Sequence, residues 1–344
     1  RWSPSRGVPA ERAPPRVLIV KTSSMGDVVH ALPVVDDLRL HHPDAVVDWL
    51  VEPSFAPIVE LHPGVRRVLR VGWRKWRRQL GRAATWRAIA TLRRELRAER
   101  YDAVLDLQGL LKSALWGALA RGPLLGYDRA SAREPLAALL YRRTAAVPRA
   151  LHAVERNRRL AAAHLGYAAP QTAPRFGLRA PDASWPVAEP YTVLIPNASR
   201  PEKFWPEGDW IAVGRRLARE GARPVVLWGS EPERQMAERI AAGCGGVVPP
   251  FLSVGEMAAV LARARAAVGL DTGFSHLAAA YGRPTVGIYC DHDPGLAGIA
   301  GPGPVASIGG KGQVPSLDAV LALVDALLAA HGPADDAPAR AADP

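Results

Sequence analysis

The stretch RVLIVKTSSMGDVVHALP, Arg16 to Pro33, decides the reading of this chain. Val17 to Val20 is an unbroken apolar run, the pattern of a parallel strand buried on both faces. Lys21 to Gly26 interrupts it with small and polar residues. From Asp27 the apolar positions Val28, Leu32 and Val35 recur at helical spacing, which predicts a helix. A loop between the carboxyl end of a strand and a following helix is the usual ligand address of an open α/β sheet. This loop carries one acid, Asp27, one amine, Lys21, and three hydroxyls, Thr22, Ser23 and Ser24. Asp27 has two readings: a carboxylate capping the helix N–H groups, or a group aimed at a ligand. Spacing alone leaves both open.

At 344 residues the chain has room for two domains of ordinary size. Its two cysteines, Cys244 and Cys290, stand far apart and in no metal-ligand spacing. A reducing compartment without a disulfide framework is therefore expected. Residues 1–15 hold four prolines, three arginines and no apolar segment of the secretory kind. No uncharged apolar run is long enough to span a bilayer, and the last helical pattern, Leu317 to Ala330, is interrupted by Asp318 and Asp325. The expectation is a soluble protein, or one that visits a membrane surface.

The formal charge of +11 is concentrated: residues 66–100 hold 13 Lys and Arg against two acids, Glu95 and Glu99. Trp73, Trp76 and Trp86 lie in the same segment. A basic, tryptophan-bearing face suits nucleic acid, anionic lipid headgroups or a phosphorylated glycan, and a plain solvated helix face is the alternative. Only five lysines accompany 39 arginines, and three of them, Lys21, Lys112 and Lys203, sit in loops that open helices. An ammonium and a guanidinium differ in shape and donor geometry.

In chain order, strands are predicted at Ala45–Val51, Val65–Val71 and Asp102–Leu107, with a basic helical segment running to about Arg100. A short helix is expected over Ala132–Tyr141, and an amphipathic one from His152 ends on Gly166. Pro170, Pro174, Pro181, Pro186 and Pro190 punctuate a linker. A second alternating series follows, with strands YTVLI (191–195), PVVLW (224–228), AAVGL (266–270) and PTVGIY (284–289). This alternation predicts two Rossmann-like, doubly wound α/β domains facing across a central cleft. Their expected bounds are 16–180 and 181–331, with disordered ends at 1–15 and 332–344. Neither half carries GxGxxG after its first strand, and no GxxxxGK[ST] loop occurs, which weighs against dinucleotide dehydrogenases and P-loop phosphoryl transfer.

The second half's strongest word is Val268 to His276, VGLDTGFSH. Small residues open a helix directly after a buried strand, so the N–H groups of Thr272, Gly273 and Phe274 suit a diphosphate. His276 adds a donor in the first turn. Asp271 would repel phosphate and is better placed to accept from sugar hydroxyls; a merely capped helix is the other reading. Lys203, in the loop between Pro196 and Pro206, suits a leaving phosphate, or solvent. Asp291–His292–Asp293 is too short for a specific metal site and reads as a turn started by Asp293.

At these residues the chain resembles glycosyltransferase family 9, GT-B enzymes that build the lipopolysaccharide core. The words that carry the resemblance are KTSSMGD (21–27), DLQGLLKS (106–113), AREPLA (132–137), HAVER (152–156), KFWP (203–206) and DTGFSHLAAA (271–280). The resemblance implies inverting transfer of L-glycero-D-manno-heptose from ADP-heptose to the inner Kdo of Kdo2-lipid A, with no metal and no cofactor. It makes Asp27 the general base. It puts Ser199, Lys203, Glu233, Leu252, Asp271, Thr272, Gly273 and His276 on the donor, and Lys21, Ser24, Gly26, Lys112 and Arg133 on the acidic acceptor. The chain departs from the family at Ala198–Ser199, where a Thr–Thr pair is common, at Leu252, often methionine, and at Cys290–Asp291–His292. A later heptosyltransferase with another core acceptor is the nearest alternative, and a basic nucleic-acid-binding protein the distant one. The resemblance further implies a monomer at the cytoplasmic face of the inner membrane. One face of residues 74–100 is expected to dock there, with Trp73 or Trp76 at the interface.

Overall fold

A computed structural model describes residues 14–182, 185, 190–198 and 200–330. The expectations for residues 1–13, for the 332–344 tail and for Ser199 fall outside the described residues. The chain divides into two compact units, Arg1–Thr172 and Ala173–Pro344.

The first unit is built on six parallel strands: Arg16–Val20 (β1), Val46–Val51 (β2), Val65–Arg70 (β3), Ala103–Asp106 (β4), Leu124–Tyr127 (β5) and Arg143–Ala145 (β6). They lie in the order β3-β2-β1-β4-β5-β6. The apolar run chosen from the sequence is the central strand, with Val17 opposite Val47 on one side and Ala103 on the other. Because winding reverses at β1, the loops leaving β1 and β4 open side by side at the sheet's carboxyl edge. Lys21, Ser23, Ser24 and Asp27 follow the first of these strands, and Gln108 and Lys112 the second.

Local chemistry explains where this unit departs from expectation. The helix after β1 is two helices, Met25–Val29 and Pro33–His41, because Pro33 has no N–H to continue the first and a φ suited to starting the second. The basic segment is likewise two helices, Trp73–Trp76 and Ala83–Arg97, rather than one. Residues 132–141 hold a tighter 3₁₀ turn, Pro135–Leu140, in place of an α-helix. Strand β6 was not legible: it is three residues at an edge, mostly exposed, with no apolar period. The helix Ala153–Leu165 ends on Gly166 at φ 83° as its glycine predicts. It is fastened to Pro33–His41 by a buried pair in which Arg158 donates to both Asp37 oxygens at 2.8 Å.

The second unit has five parallel strands: Tyr191–Ile195 (β7), Arg223–Val226 (β8), Ala267–Leu270 (β9), Thr285–Tyr289 (β10) and Val305–Gly309 (β11), the last unanticipated. Their order is β11-β10-β9-β7-β8. Val247 makes a single parallel bridge to Val225 of β8, in the place that β3 fills in the first unit. Both units therefore follow one winding scheme, and the reversal here lies between β7 and β9. The loops leaving those two strands carry Asn197 and Lys203, and Asp271 and Thr272. Gly269 permits the close strand-to-helix approach: a Cβ there would stand 2.2 Å from Ser275 Oγ. That hydroxyl instead donates to Leu270 O at 2.7 Å, tying the helix Gly273–Ala280 to the end of β9.

Candidate functional site

In the first unit, Asp27 takes the capping role open in its sequence, and it also stands among cations. It is the third residue of the helix Met25–Val29, and its Oδ2 accepts from Ser24 N at 3.0 Å and Ser24 Oγ at 3.2 Å, a capping arrangement. Its Oδ1 lies 3.7 Å from Lys21 Nζ, and Arg133 Nη1 lies 3.3 Å from both oxygens. Burial by itself pushes the Asp27 carboxyl up. The charges of Lys21 and Arg133 and the Ser24 bonds outweigh it and hold the group below the ordinary carboxylate range. Burial conversely pushes the Lys21 amine down, with Arg133 and Arg156 adding to that and Asp27 opposing it. Lys21 is buried all the same, and donates to Leu107 O at 2.8 Å.

The loop that carries these groups is clamped from β4. Gln108 Oε1 accepts from Thr22 N at 2.9 Å and Ser23 N at 3.2 Å, while its Nε2 donates to Ser23 O. Buried Asp106 accepts from Gln108 N, Ser113 Oγ and Tyr141 OH at 2.8–2.9 Å. Burial nonetheless drives its pKa up. Lys112 Nζ donates to Ser23 Oγ at 3.1 Å. Gly109, next to the clamp, holds φ 67°, and a Cβ there would meet the Tyr127 ring at 3.1 Å and Arg133 N at 3.3 Å. Lys21, Ser24, Gly26, Lys112 and Arg133 thus belong to one neighbourhood around Asp27. Gln108 and Arg156 were missed as functional candidates. Both lie inside quoted words, DLQG and HAVER, and that was the only signal in the sequence. Arg156 caps the Tyr127 ring at 4.9 Å and donates to Ser131 O at 2.7 Å.

In the second unit, Lys203 Nζ donates to Asp271 Oδ2 at 2.6 Å and lies 3.8 Å from Asp291 Oδ1. His276 Nε2 is 3.4 Å from Asp271 Oδ1, so both oxygens of Asp271 are engaged within the protein. Burial pushes the Asp271 carboxyl up, and the bonds from His276 and Lys203 override it, leaving a pKa of about 2. Thr272 precedes the helix Gly273–Ala280; its carbonyl accepts from Ser275 N at 3.2 Å and His276 N at 3.4 Å, which leaves the N–H groups of Gly273 and Phe274 at the helix start without an acceptor in the helix. Among the described residues, Thr272 Oγ1 and Asn197 Oδ1 are buried without a hydrogen-bond partner. Polar atoms in that state at a strand's carboxyl edge are suited to a ligand.

Glu233 is in the first turn of Glu231–Cys244 and accepts from Gly229 N at 2.8 Å. Leu252 is buried. Asp293 does start a turn, accepting from Gly295 N at 2.8 Å, whereas Asp291 faces Lys203 and pairs with Arg200 at 2.6 Å. Among the described residues no group of three or more His, Cys, Asp or Glu could hold a metal ion.

Of the two tryptophans expected at an interface, Trp73 is partly exposed and Trp76 is not. Trp76 is only 9% exposed and packs in the core, with the Trp116 ring 5.5 Å from its own and 5.9 Å from that of Trp73. An indole costs too much to leave in water when a neighbouring helix can cover it. Trp86, at 58%, is the exposed member of the three. Among the described residues no helix is long and apolar enough to cross a membrane.

Two doubly wound parallel units with their polar residues at the strand carboxyl edges are the GT-B type of glycosyltransferase fold. The solved Escherichia coli heptosyltransferase WaaC with ADP superposes with a TM-score of 0.83 at 39% identity, over 90% of this chain and 99% of that one. The same enzyme with ADP-2-deoxy-2-fluoro heptose gives 0.81 at 38%, over the same shares. Lipopolysaccharide heptosyltransferase 1 of Pseudomonas aeruginosa is 43% identical over 292 residues, 83% of this chain and 81% of that protein. The sequence model of glycosyltransferase family 9 (heptosyltransferase) matches residues 89–317. The chain belongs to glycosyltransferase family 9, the heptosyltransferases.

Proposed function

We propose that this glycosyltransferase moves L-glycero-D-manno-heptose from ADP-heptose to the inner Kdo of Kdo2-lipid A, with inversion, in assembly of the lipopolysaccharide core. The observation that carries this is the 43% identity, over 83% of the chain, to a relative named for the first heptose transfer. Asp27 takes the proton of the acceptor hydroxyl as that oxygen attacks the anomeric carbon. The carbon–oxygen bond to the diphosphate breaks with its electron pair, and ADP leaves. Lys203 and the N–H groups of Gly273 and Phe274 oppose the charge that grows on it. Ser199, Glu233, Leu252, Asp271, Thr272 and His276 hold the donor; Lys21, Ser24, Gly26, Lys112 and Arg133 hold the acidic acceptor.

A carboxylate held as low as Asp27 is a weak base. It therefore takes the proton late, once bond formation has made the attacking hydroxyl strongly acidic. An acceptor carboxylate that draws Arg133 to itself also relieves Asp27 of one cation, so acceptor binding strengthens the base.

The acceptor is an anionic lipid, so the enzyme works as a monomer at the cytoplasmic face of the inner membrane, held by reversible forces. Exposed arginines contribute on the order of 1 kcal/mol each near an anionic surface. Replacing Arg74, Arg77 and Arg78 by Gln lowers binding to anionic vesicles, and salt lowers it further.

Incubation with ADP-heptose and deacylated Kdo2-lipid A, following ADP release, tests the assignment. Release with this acceptor supports it. Release only with an acceptor that already bears the first heptose assigns the protein to a later step.

A further inference from the structure

Four of the large apolar side chains exposed among the described residues lie on two elements of the first unit that pack together. Leu115, 53% exposed, is on the helix Leu111–Gly117. Leu136, Leu139 and Leu140, exposed by 56%, 70% and 37%, are on the 3₁₀ turn Pro135–Leu140. Residues three apart in a 3₁₀ turn eclipse one another, so Leu136 and Leu139 share one outward face. Ala137 between them is fully buried, which fixes which way that face points.

The leucines are held out by a pinned backbone. Glu134 N donates to Gly109 O at 3.0 Å, Leu111 N donates to Glu134 Oε2 at 2.6 Å, and Tyr141 OH donates to Asp106 Oδ2 at 2.9 Å. Cations rim the leucines: Arg133, Arg142 and Arg143 are exposed at the two ends of the turn. Beside Leu115, Trp116 meets the rings of Trp73 and Trp76, which brings the exposed Arg74, Lys75, Arg77 and Arg78 to the same helix.

We propose that Leu115, Leu136, Leu139 and Leu140 form a membrane-inserting face, seated among the acyl chains of an anionic bilayer with the surrounding arginines in its headgroup layer. This rests on the reading of the acceptor as a lipid. Scattered exposed leucines need no explanation, but a set on two packed elements whose rim is predominantly basic, with Glu134 the acid at the turn and already accepting from Leu111 N, marks an interaction surface. The rim selects the occupant. A second copy of this chain would bring arginines against arginines, whereas anionic headgroups complement them. The position fits as well, because Lys112 lies three residues before Leu115 on the same helix, and Arg133, three residues before Leu136, touches Asp27. A lipid whose sugar reaches Asp27 has its tail close to these leucines.

The test is the double variant Leu136→Ser/Leu139→Ser, with Leu136→Met/Leu139→Met as its apolar control. Binding to vesicles of phosphatidylcholine and phosphatidylglycerol is followed by sedimentation. Heptose transfer is followed with the acceptor lipid embedded in those vesicles and with its deacylated form. The serine variant is expected to lose about tenfold or more in vesicle binding. Transfer to the embedded acceptor falls in step, while kcat and KM on the deacylated acceptor stay at the parent's values. The methionine variant behaves as the parent. Vesicle binding unchanged by serine, or serine and methionine variants that behave alike, overturns the proposal. So does a serine variant that changes only the oligomeric state, which would give the face to a second copy. A parent that binds vesicles through these leucines but releases no ADP with the deacylated acceptor overturns the acceptor assignment and leaves the membrane face standing.

Discussion

Arg133 Nη1 stands 3.3 Å from each carboxylate oxygen of Asp27, across 106 residues of sequence. One comes from the loop after β1, the other from the segment that follows β5. Together with Lys21 Nζ at 3.7 Å, this makes the proposed base a carboxylate under two cations. Its chemistry is tuned by partners as much as by its own position at a helix start.

Replacing Asp27 by Asn removes the base while leaving a side-chain oxygen to accept from Ser24 N. Turnover should fall by about 10²–10⁴-fold, with ADP binding and thermal stability close to the parent's. Turnover near the parent's would leave Asp27 with capping alone.

Arg133→Gln takes one cation from Asp27, so its pKa rises toward the ordinary value of 3.8 while Lys21 and the Ser24 bonds still hold it down. In the parent, the depressed carboxyl contributes stability that is complete above about pH 4 and is lost as pH falls through its lower folded value. The acid limb of kcat in the variant should therefore move to higher pH. A limb that stays where the parent has it would show that Arg133 does not act on the base.

Lys203→Ala should weaken ADP binding and slow transfer together, since one ammonium serves both the bound donor and the departing diphosphate. It also deprives Asp271 of its 2.6 Å partner. With Asp271 held at about 2 against 3.8, its ion pairs contribute on the order of 2 kcal/mol. That contribution is present above about pH 4 and disappears as pH falls through about 2. The gap between the denaturant midpoints of parent and variant should therefore narrow from about pH 7 to about pH 3 and close only below about pH 2. ADP affinity equal to the parent's would remove Lys203 from the donor site.

Gln108 is a positioning residue: its amide holds two N–H groups and one carbonyl of the loop that carries Lys21 and Asp27. Gln108→Ala leaves those groups buried and unpaired, at about 1–3 kcal/mol of stability. The kcat should fall more than the KM for ADP-heptose changes, because the donor residues belong to the other unit. Gln108→Glu, which keeps the size and one acceptor pattern, should recover part of the stability but little of the turnover. A KM effect without a kcat effect would count against this role.

Arg158→Ala strands Asp37 as a buried charge. A buried pair broken on one side loses about 3–5 kcal/mol, and replacing both partners by apolar residues loses far less. Urea unfolding of Arg158→Ala beside Arg158→Met/Asp37→Leu checks this, and equal midpoints for the two would argue that the pair is solvated.

The winding of both units was legible in the chain because buried parallel strands are written as short apolar runs, and helices as a period near four. Val17–Val20 and DTG after Leu270 each located a strand end and its loop without any neighbour in view. Strands β6 and β11 escaped because neither is written as a buried apolar run: Arg143–Ala145 is mostly exposed and Val305–Gly309 is only partly buried throughout, whereas β3, also at an edge, kept enough valine and leucine to be read. Family words named most of the candidate residues, and they came by resemblance to known enzymes.

What the sequence alone determined is therefore the α/β class, the two series of strands, and the identity of the loops that bear Asp27, Lys203 and Asp271. Only the tertiary structure decided how those residues behave. Whether Asp27 would sit high or low depended on Arg133 and Lys21 arriving beside it, and Coulomb interactions depend on distance in space, which residue spacing does not record. The same holds for Trp76, buried by Trp116, and for Leu136 and Leu139, left outside: burial is a property of what packs against a residue, and a residue's own hydrophobicity cannot supply that neighbour.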